Sequence, residues 1–352
     1  MNNFKKIGVS ALAGSLAMVS AHAVEYTMTG GMVATFSQAT SPTAVAGEGG
    51  KGVGTATDLS FNAAGELDNG FTVGYFMSVD TNAALANTSS QMTVGMGSLG
   101  TLQINNKGGS KANSIDDITP NAYNEVWDGL TGASAKNNPS FFGSRTSSGS
   151  IDYRIPAQEA EGFTVNAALT YDPNAGLGST SKGAVQEDGE AGVALVLQVA
   201  HESGIEVGGG VEMEQSDNNS TAVTQQGGVS GQESATGYIK FAQGGLSLAY
   251  QQAYQDSATG QGTDAKNAPD KEAEMMSIAY TMGDMTFSYA KADITIVAES
   301  DTAAIDIELD SIQAAYVMGA MTVSGAVSKT DNSGGVLNDE YTENQLAVSF
   351  AF

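Results

Sequence analysis

From Val24 onward the side chains alternate almost everywhere between apolar and polar with a period of two, the repeat of an extended strand with two different faces. Tyr26, Met28, Met32, Ala34 and Phe36 share one parity, and Glu25, Thr27, Thr29 and Thr35 take the other. Leu59, Phe61 and Ala63 alternate with Asp58, Ser60 and Asn62, and Glu66 to Gly70 then supplies a turn before Phe71, Val73, Tyr75, Met77 and Val79 resume the pattern. Repeated to the end, this predicts sixteen strands, and the connections between them alternate between a short turn and a longer loop. The longer ones are 38–54, 81–88, 107–146, 172–189, 215–234, 255–272, 293–305 and 330–340. A sandwich has no reason to gather every long loop at one end, whereas a barrel threaded through an outer membrane does.

The fold class expected is therefore all-β, a transmembrane antiparallel barrel of about 16 strands with long extracellular loops. Inside a bilayer every backbone amide must be paired and no sheet edge can remain open, so closure is required. The last segment, Leu346 to Phe352, again puts large apolar groups on one parity and predicts pairing with strand 24–37. A barrel this wide cannot fill its interior with side chains, and an aqueous channel follows.

Composition removes the competing classes. After the N-terminus no run of about 18 apolar residues could form a spanning helix. A net charge of -25, from 14 basic and 39 acidic residues, leaves no basic patch for a phosphate backbone, so no nucleic-acid partner is expected. With 15% charged residues and regularly placed aromatics, disorder is excluded too. Residues 1–23 read as a secretory signal peptide: Lys5 and Lys6 precede an apolar stretch, and Ala21-His22-Ala23 fits a cleavage site, leaving 24–352 as one barrel domain. The chain has no cysteine, so its stability must come from backbone pairing.

The Glu66 to Tyr75 hairpin, the Gly97 to Leu102 hairpin, the Ser150 to Pro156 strand end running on to Gly162-Phe163, and the terminal Phe352 together resemble the Gram-negative general porins, trimeric barrels of sixteen strands. That resemblance implies residence in the outer membrane, a homotrimer, contact with outer-membrane lipid, and passive diffusion of ions and small polar solutes. It also implies that Phe352, with Phe350 before it, is the signal read by the outer-membrane assembly machinery, and that the third long loop, 107–146, folds into the pore as its constriction. An acidic surface adhesin or structural barrel protein is the alternative.

The 107–146 segment is too long for an ordinary surface loop. It holds Asp116, Asp117, Glu125 and Asp128, which either line the pore or sit solvated on an outer face, and Tyr123 and Trp127, which anchor the loop or stack a solute. Many similar porins face this loop with several arginines; here Arg145 and Arg154 are the only two in the chain. Strand parity sends Asp152, Arg154 and Lys240 inward, while Lys291 and Lys329 share the outward parity and are expected near strand ends. The expected constriction set is thus Asp116, Asp117, Glu125, Asp128, Arg145, Asp152, Arg154 and Lys240, with a net acidic lumen and cation preference. His201, the one histidine beyond the signal, falls in a turn, so no enzyme is expected. Gly47 to Gly52 lacks both the leading glycine and the Ser or Thr of a phosphate loop, and Asp331, Asp339 and Glu340 match no calcium-loop spacing, so neither a cofactor nor a metal is expected.

Overall fold

The computed structural model describes residues 25–41, 50–80, 85–128, 135–175, 191–214, 232–256, 270–297 and 304–352. The cleavage site expected after Ala23 lies outside them. Its strands are β1 Glu25–Thr40, β2 Gly50–Glu66, β3 Thr72–Asp80, β4 Ala86–Gly95, β5 Thr101–Asn106, β6 Ile151–Arg154, β7 Gln158–Ala160, β8 Phe163–Asp172, β9 Gly192–His201, β10 Ile205–Glu214, β11 Glu233–Gln243, β12 Leu246–Asp256, β13 Asp270–Met282, β14 Met285–Val297, β15 Ile305–Met318, β16 Met321–Asp331 and β17 Tyr341–Ala351. All belong to one antiparallel sheet, in which each stave pairs with the next and β17 returns to β1. Because β6 and β7 both pair with β8, the seventeen strands form sixteen staves.

Ten register pairs from Gly31↔Ala351 to Thr40↔Thr342 close the cylinder. Phe352 extends the seam: its N–H donates to the Gly30 carbonyl (2.9 Å), and the Gly30 N–H donates to its carbonyl (2.7 Å). Closure leaves no strand edge, which is what the two-faced period requires.

Outward positions carry exposed apolar side chains all the way round, among them Tyr75, Tyr153, Leu195, Leu197, Ile239, Ile278, Tyr280, Phe287, Tyr316 and Phe350. A belt of that extent calls for an apolar surrounding. The alternation of one strand shows why the sequence folds this way. On β12 the exposed Leu248, Tyr250 and Tyr254 point out, while Ala249, Gln251 and Ala253 are buried on the inner side.

Three expectations need correction. Strand β6 starts at Ile151 and not at 147, because Ser147 to Ser150 are spent on the inward loop: Ser147 carbonyl accepts from Gly108 N–H (3.0 Å) and Ser150 carbonyl from Asn105 N–H (2.8 Å). The turn after it contains an additional strand, β7. Lys291 lies midway along β14 rather than at its end, pairing with Asp293 (2.9 Å) and Glu308 (3.7 Å) on the outer face, and Lys329 pairs with Asp331 (2.8 Å). The β13 to β16 staves extend past their apolar section into a charged one, so these lysines need not snorkel.

Candidate functional site: the inward loop and the lumen

Between β5 and β6 the chain turns inward at Gly108 and Gly109, both at φ +98°, a left-handed conformation that glycine adopts freely. Wall side chains capture the loop at its root, with Gln91 Nε2 donating to the Gly108 carbonyl (2.9 Å) and Gln103 Nε2 to that of Gly109 (2.8 Å). From there the loop crosses the inner wall from β6 to β17, and inward-pointing polar residues take up its backbone groups one after another. Gln251 of β12 donates to the Ile115 carbonyl (2.8 Å) and accepts from Ile118 N–H (3.0 Å). Ser288 of β14 accepts from Ala122 N–H (2.8 Å). Gln313 of β15 accepts from Tyr123 N–H (2.8 Å) and donates to the Asn124 carbonyl (2.6 Å), and Asn124 reaches Gln345 of β17 (3.0 Å). Outside regular structure these groups would otherwise be stranded, which is why the wall carries amides there.

Apolar packing does the rest. Val126, Trp127 and Phe141 are buried against Met275, Ile294, Ile307 and Leu309, inward residues of β13, β14 and β15. Ala112, Ile115 and Phe142 are buried against Ala194, Val196 and Tyr238 of β9 and β11. Each of these large side chains contributes roughly 1.5–3 kcal/mol by burial. Trp127 is therefore a wall anchor, the first of its two expected roles. On the return limb, buried Glu212 of β10 accepts from the N–H and hydroxyl of Thr146 (2.8 Å each) and from Ser234 (2.9 Å).

The eight residues expected at one constriction fall into three groups. The four acids of the loop stand together: burial, and next the charge of Asp117, push Asp116 up to about 7, while burial, and next Asp128, push Glu125 up to about 8. Asp128 is raised by burial as well, and Asp117 raises it further. Asp117 accepts from Thr119 through both the N–H (2.7 Å) and the hydroxyl (2.6 Å). Among the described residues no ion pair joins Asp116, Glu125 or Asp128 to Arg145, Arg154 or Lys240. Asp152, Arg154 and Lys240 form the second group at the loop's root. Arg145 is the third, held apart near the long-loop end by Gln232 (2.9 and 2.6 Å) and Glu214 (3.4 Å). Asp152 points inward as expected but has no exposed surface, so it is a clamp for the loop and does not line open space.

Lys111 was missing from the expected set although it lies among Arg154, Lys240, Glu206 and Asp152. Its position follows from the path of the loop, which strand parity cannot reveal. The amides Gln251, Gln313 and Gln345 could have been found, because each stands at an inward position next to a small inward residue, Ala249, Ala315 and Ala347. His201 ends β9, where its Nδ1 lies 2.8 Å from the Ser203 hydroxyl. Opposite the loop, the inner wall of β1 and β2 is polar and partly exposed, with Thr27, Thr29, Thr35, Ser60 and Asn62.

No family model matches the sequence, and no curated protein matches it. Solved structures do. A porin refined at 1.8 Å resolution is 17% identical with a TM-score of 0.62, over 93% of this chain and 100% of that one. Salmonella typhi OmpF in complex with daunomycin is 12% identical with a TM-score of 0.63, over 93% and 98%. In-vitro folded OmpT, an outer membrane protein of Vibrio cholerae in its trimer form, is 10% identical with a TM-score of 0.58, over 94% and 99%. At such identities the likeness is one of architecture, and it extends over nearly the whole of each chain: the protein has the fold of the porins.

Proposed function

We propose that the protein is a passive, water-filled channel of the Gram-negative outer membrane for ions and small hydrophilic solutes, that it works as a homotrimer, and that it prefers cations. One observation carries this reading. The described part of the long inward loop is fastened along the β6 to β17 side of the lumen while the polar wall of β1 and β2 stays partly exposed, which supports a barrel narrowed by its loop rather than plugged. An apolar outer belt around a polar inner passage is the arrangement of a pore in lipid. The acids of the loop supply the charge bias, because among the described residues no ion pair offsets Asp116, Glu125 or Asp128. Purified protein in a planar bilayer should give discrete unitary current steps. A barrel inserted in lipid that passes no current would defeat the proposal and favour the adhesin or structural reading.

Phe352 supports a proposal about assembly. Its two hydrogen bonds to Gly30 finish the seam, and the residue is 53% exposed where insertion machinery could read it. Removing Phe352 should lower the yield of folded barrel in the outer membrane and leave the unitary conductance of the surviving barrels unchanged. Quantifying the heat-modifiable folded band on unheated gels tests this, and an unchanged yield would refute the signal.

A further inference from the structure

At the root of the loop, on the short-turn side of the lumen, three cations meet two carboxylates. Arg154 Nη2 lies 2.8 Å from Asp152 Oδ2 and also donates to the Gly109 carbonyl (3.1 Å), while Lys240 Nζ lies 2.9 Å from Glu206 Oε2. Both carboxylates are already engaged. Asp152 is fully buried and accepts from the Lys111 backbone N–H (2.7 Å) and the Thr170 hydroxyl (2.7 Å); Glu206 accepts from the Tyr238 hydroxyl (2.6 Å) and Gln198 Nε2 (3.3 Å).

The Lys111 ammonium is the cation left over. Among the described residues no carboxylate lies within ion-pair distance of it, although the charges of Arg154 and Lys240 both act on it. Burial, followed by the Arg154 guanidinium, holds Lys111 below the ordinary lysine range, the opposite of what a partnered ammonium shows. Arg154 Nε is buried without an acceptor, so only the rest of the guanidinium faces the lumen. Arg154 and Lys240 nevertheless keep 33% and 37% of their side-chain surface open. A surplus positive charge beside a partly exposed guanidinium and a partly exposed ammonium makes a receptor for an oxyanion, whose several acceptor atoms can take both cations together.

We propose that Lys111, backed by Arg154 and Lys240, binds the anionic group of a solute, a carboxylate or a phosphate, in the lumen beside the root of the inward loop. Binding itself needs only the folded barrel; its role in permeation rests on the channel reading. Solutes crossing the lumen would then meet an acidic stretch of the loop and a separate cationic station, and polyvalent or zwitterionic solutes would dwell longer than simple cations.

The test is calorimetric titration of the full-length, detergent-folded protein with inorganic phosphate and, separately, with acetate. At least one should bind saturably. Lys111→Gln should weaken that binding by roughly tenfold, a loss of about 1.4 kcal/mol, in keeping with a charge-assisted hydrogen bond, while Lys111→Arg should largely preserve it. Saturation by phosphate alone or acetate alone identifies the group, and saturation by both shows that the station reads only the charge. The glutamine keeps the backbone N–H on Asp152, so the loop root stays fastened, and Lys291→Gln on the outer face serves as a control that should bind normally. Absence of saturable binding for both anions, or equal affinity in wild type and Lys111→Gln, overturns the station. A barrel that passes no current yet binds through Lys111 overturns only the channel reading.

Discussion

Raising the pH from about 6 to about 9 in a dilute KCl gradient is expected to move the reversal potential strongly toward that of K⁺. The acids of the loop are the reason. With Asp116 pushed up to about 7 and Glu125 to about 8, both are largely neutral at pH 6 and ionised at pH 9, so negative charge enters the lumen across that interval. A unit charge acting on an ion about 8 Å away contributes roughly 0.5 kcal/mol at a water-like dielectric and several times more between protein walls, so two new charges suffice. Asp116→Asn should remove the lower part of the transition and Glu125→Gln the upper part. Screening should shrink the whole effect in about 1 M salt, where the Debye length is about 3 Å. A reversal potential flat across this range, or anion-selective at pH 9, would mean that other residues govern the lumen. The same shifts set the sign for stability: a carboxyl with a raised pKa in the folded state stabilises the docked loop at low pH, and that contribution is lost as the pH climbs through 7 and 8. Alkaline barrels should therefore show noisier current.

Gly210→Ala should produce the second large effect, by loosening the return limb of the loop. A Cβ at Gly210 would sit 2.5 Å from Phe142 Cζ and 2.9 Å from the Leu195 carbonyl oxygen, and the Phe142 ring has no exposed surface into which it could withdraw. Overpacking of this kind costs about 1–3 kcal/mol, and here the strain falls on the contact that presses the loop to the β9 to β11 wall. Unitary conductance should rise and fluctuate more, and barrel yield should fall modestly, because the approach to the Leu195 carbonyl also strains the β9–β10 ladder. Phe142→Leu in the same chain should partly restore quiet current, since the smaller side chain relieves the clash with the ring and leaves only the approach to the Leu195 carbonyl. Failure of that double change to couple would mean that Phe142 does not hold the loop.

The wall was legible from sequence because its rule is local. Each strand faces two media, so Tyr250 and Gln251 disclose their sides by adjacency alone, and the terminal stretch from Leu346 discloses its closing partner by matching parity. Nothing comparable governs 107–146. Its path depends on amides contributed by β12, β15 and β17, more than a hundred positions away, and on an apolar patch of inward Ile294, Ile307 and Leu309 that strand alternation assigns to the inner face without saying what covers it. For this reason Asp116 and Glu125 could be selected from sequence and Lys111 could not, and Arg145 was grouped with Arg154 although the fold parts them. The extra strand β7 escaped for a different reason: three residues give the period no length in which to declare itself.

The seam has a kinetic meaning. Its partners, such as Gly31 and Ala351, lie at opposite ends of the described chain, so no ladder of β1 with β17 can form until the last strand exists. Joining ends about 320 residues apart costs roughly 5 kcal/mol in chain entropy before the first pair is rewarded, among the largest separations a single contact can have. The β1–β2 hairpin, with fifteen local pairs from Glu25↔Ala64 to Ala39↔Gly50, can form early and wait. Refolding should therefore proceed from a curled open sheet to a closed one in a single late step whose rate follows the contact order of the seam, and until that step both free edges are equally able to pair with the wrong copy.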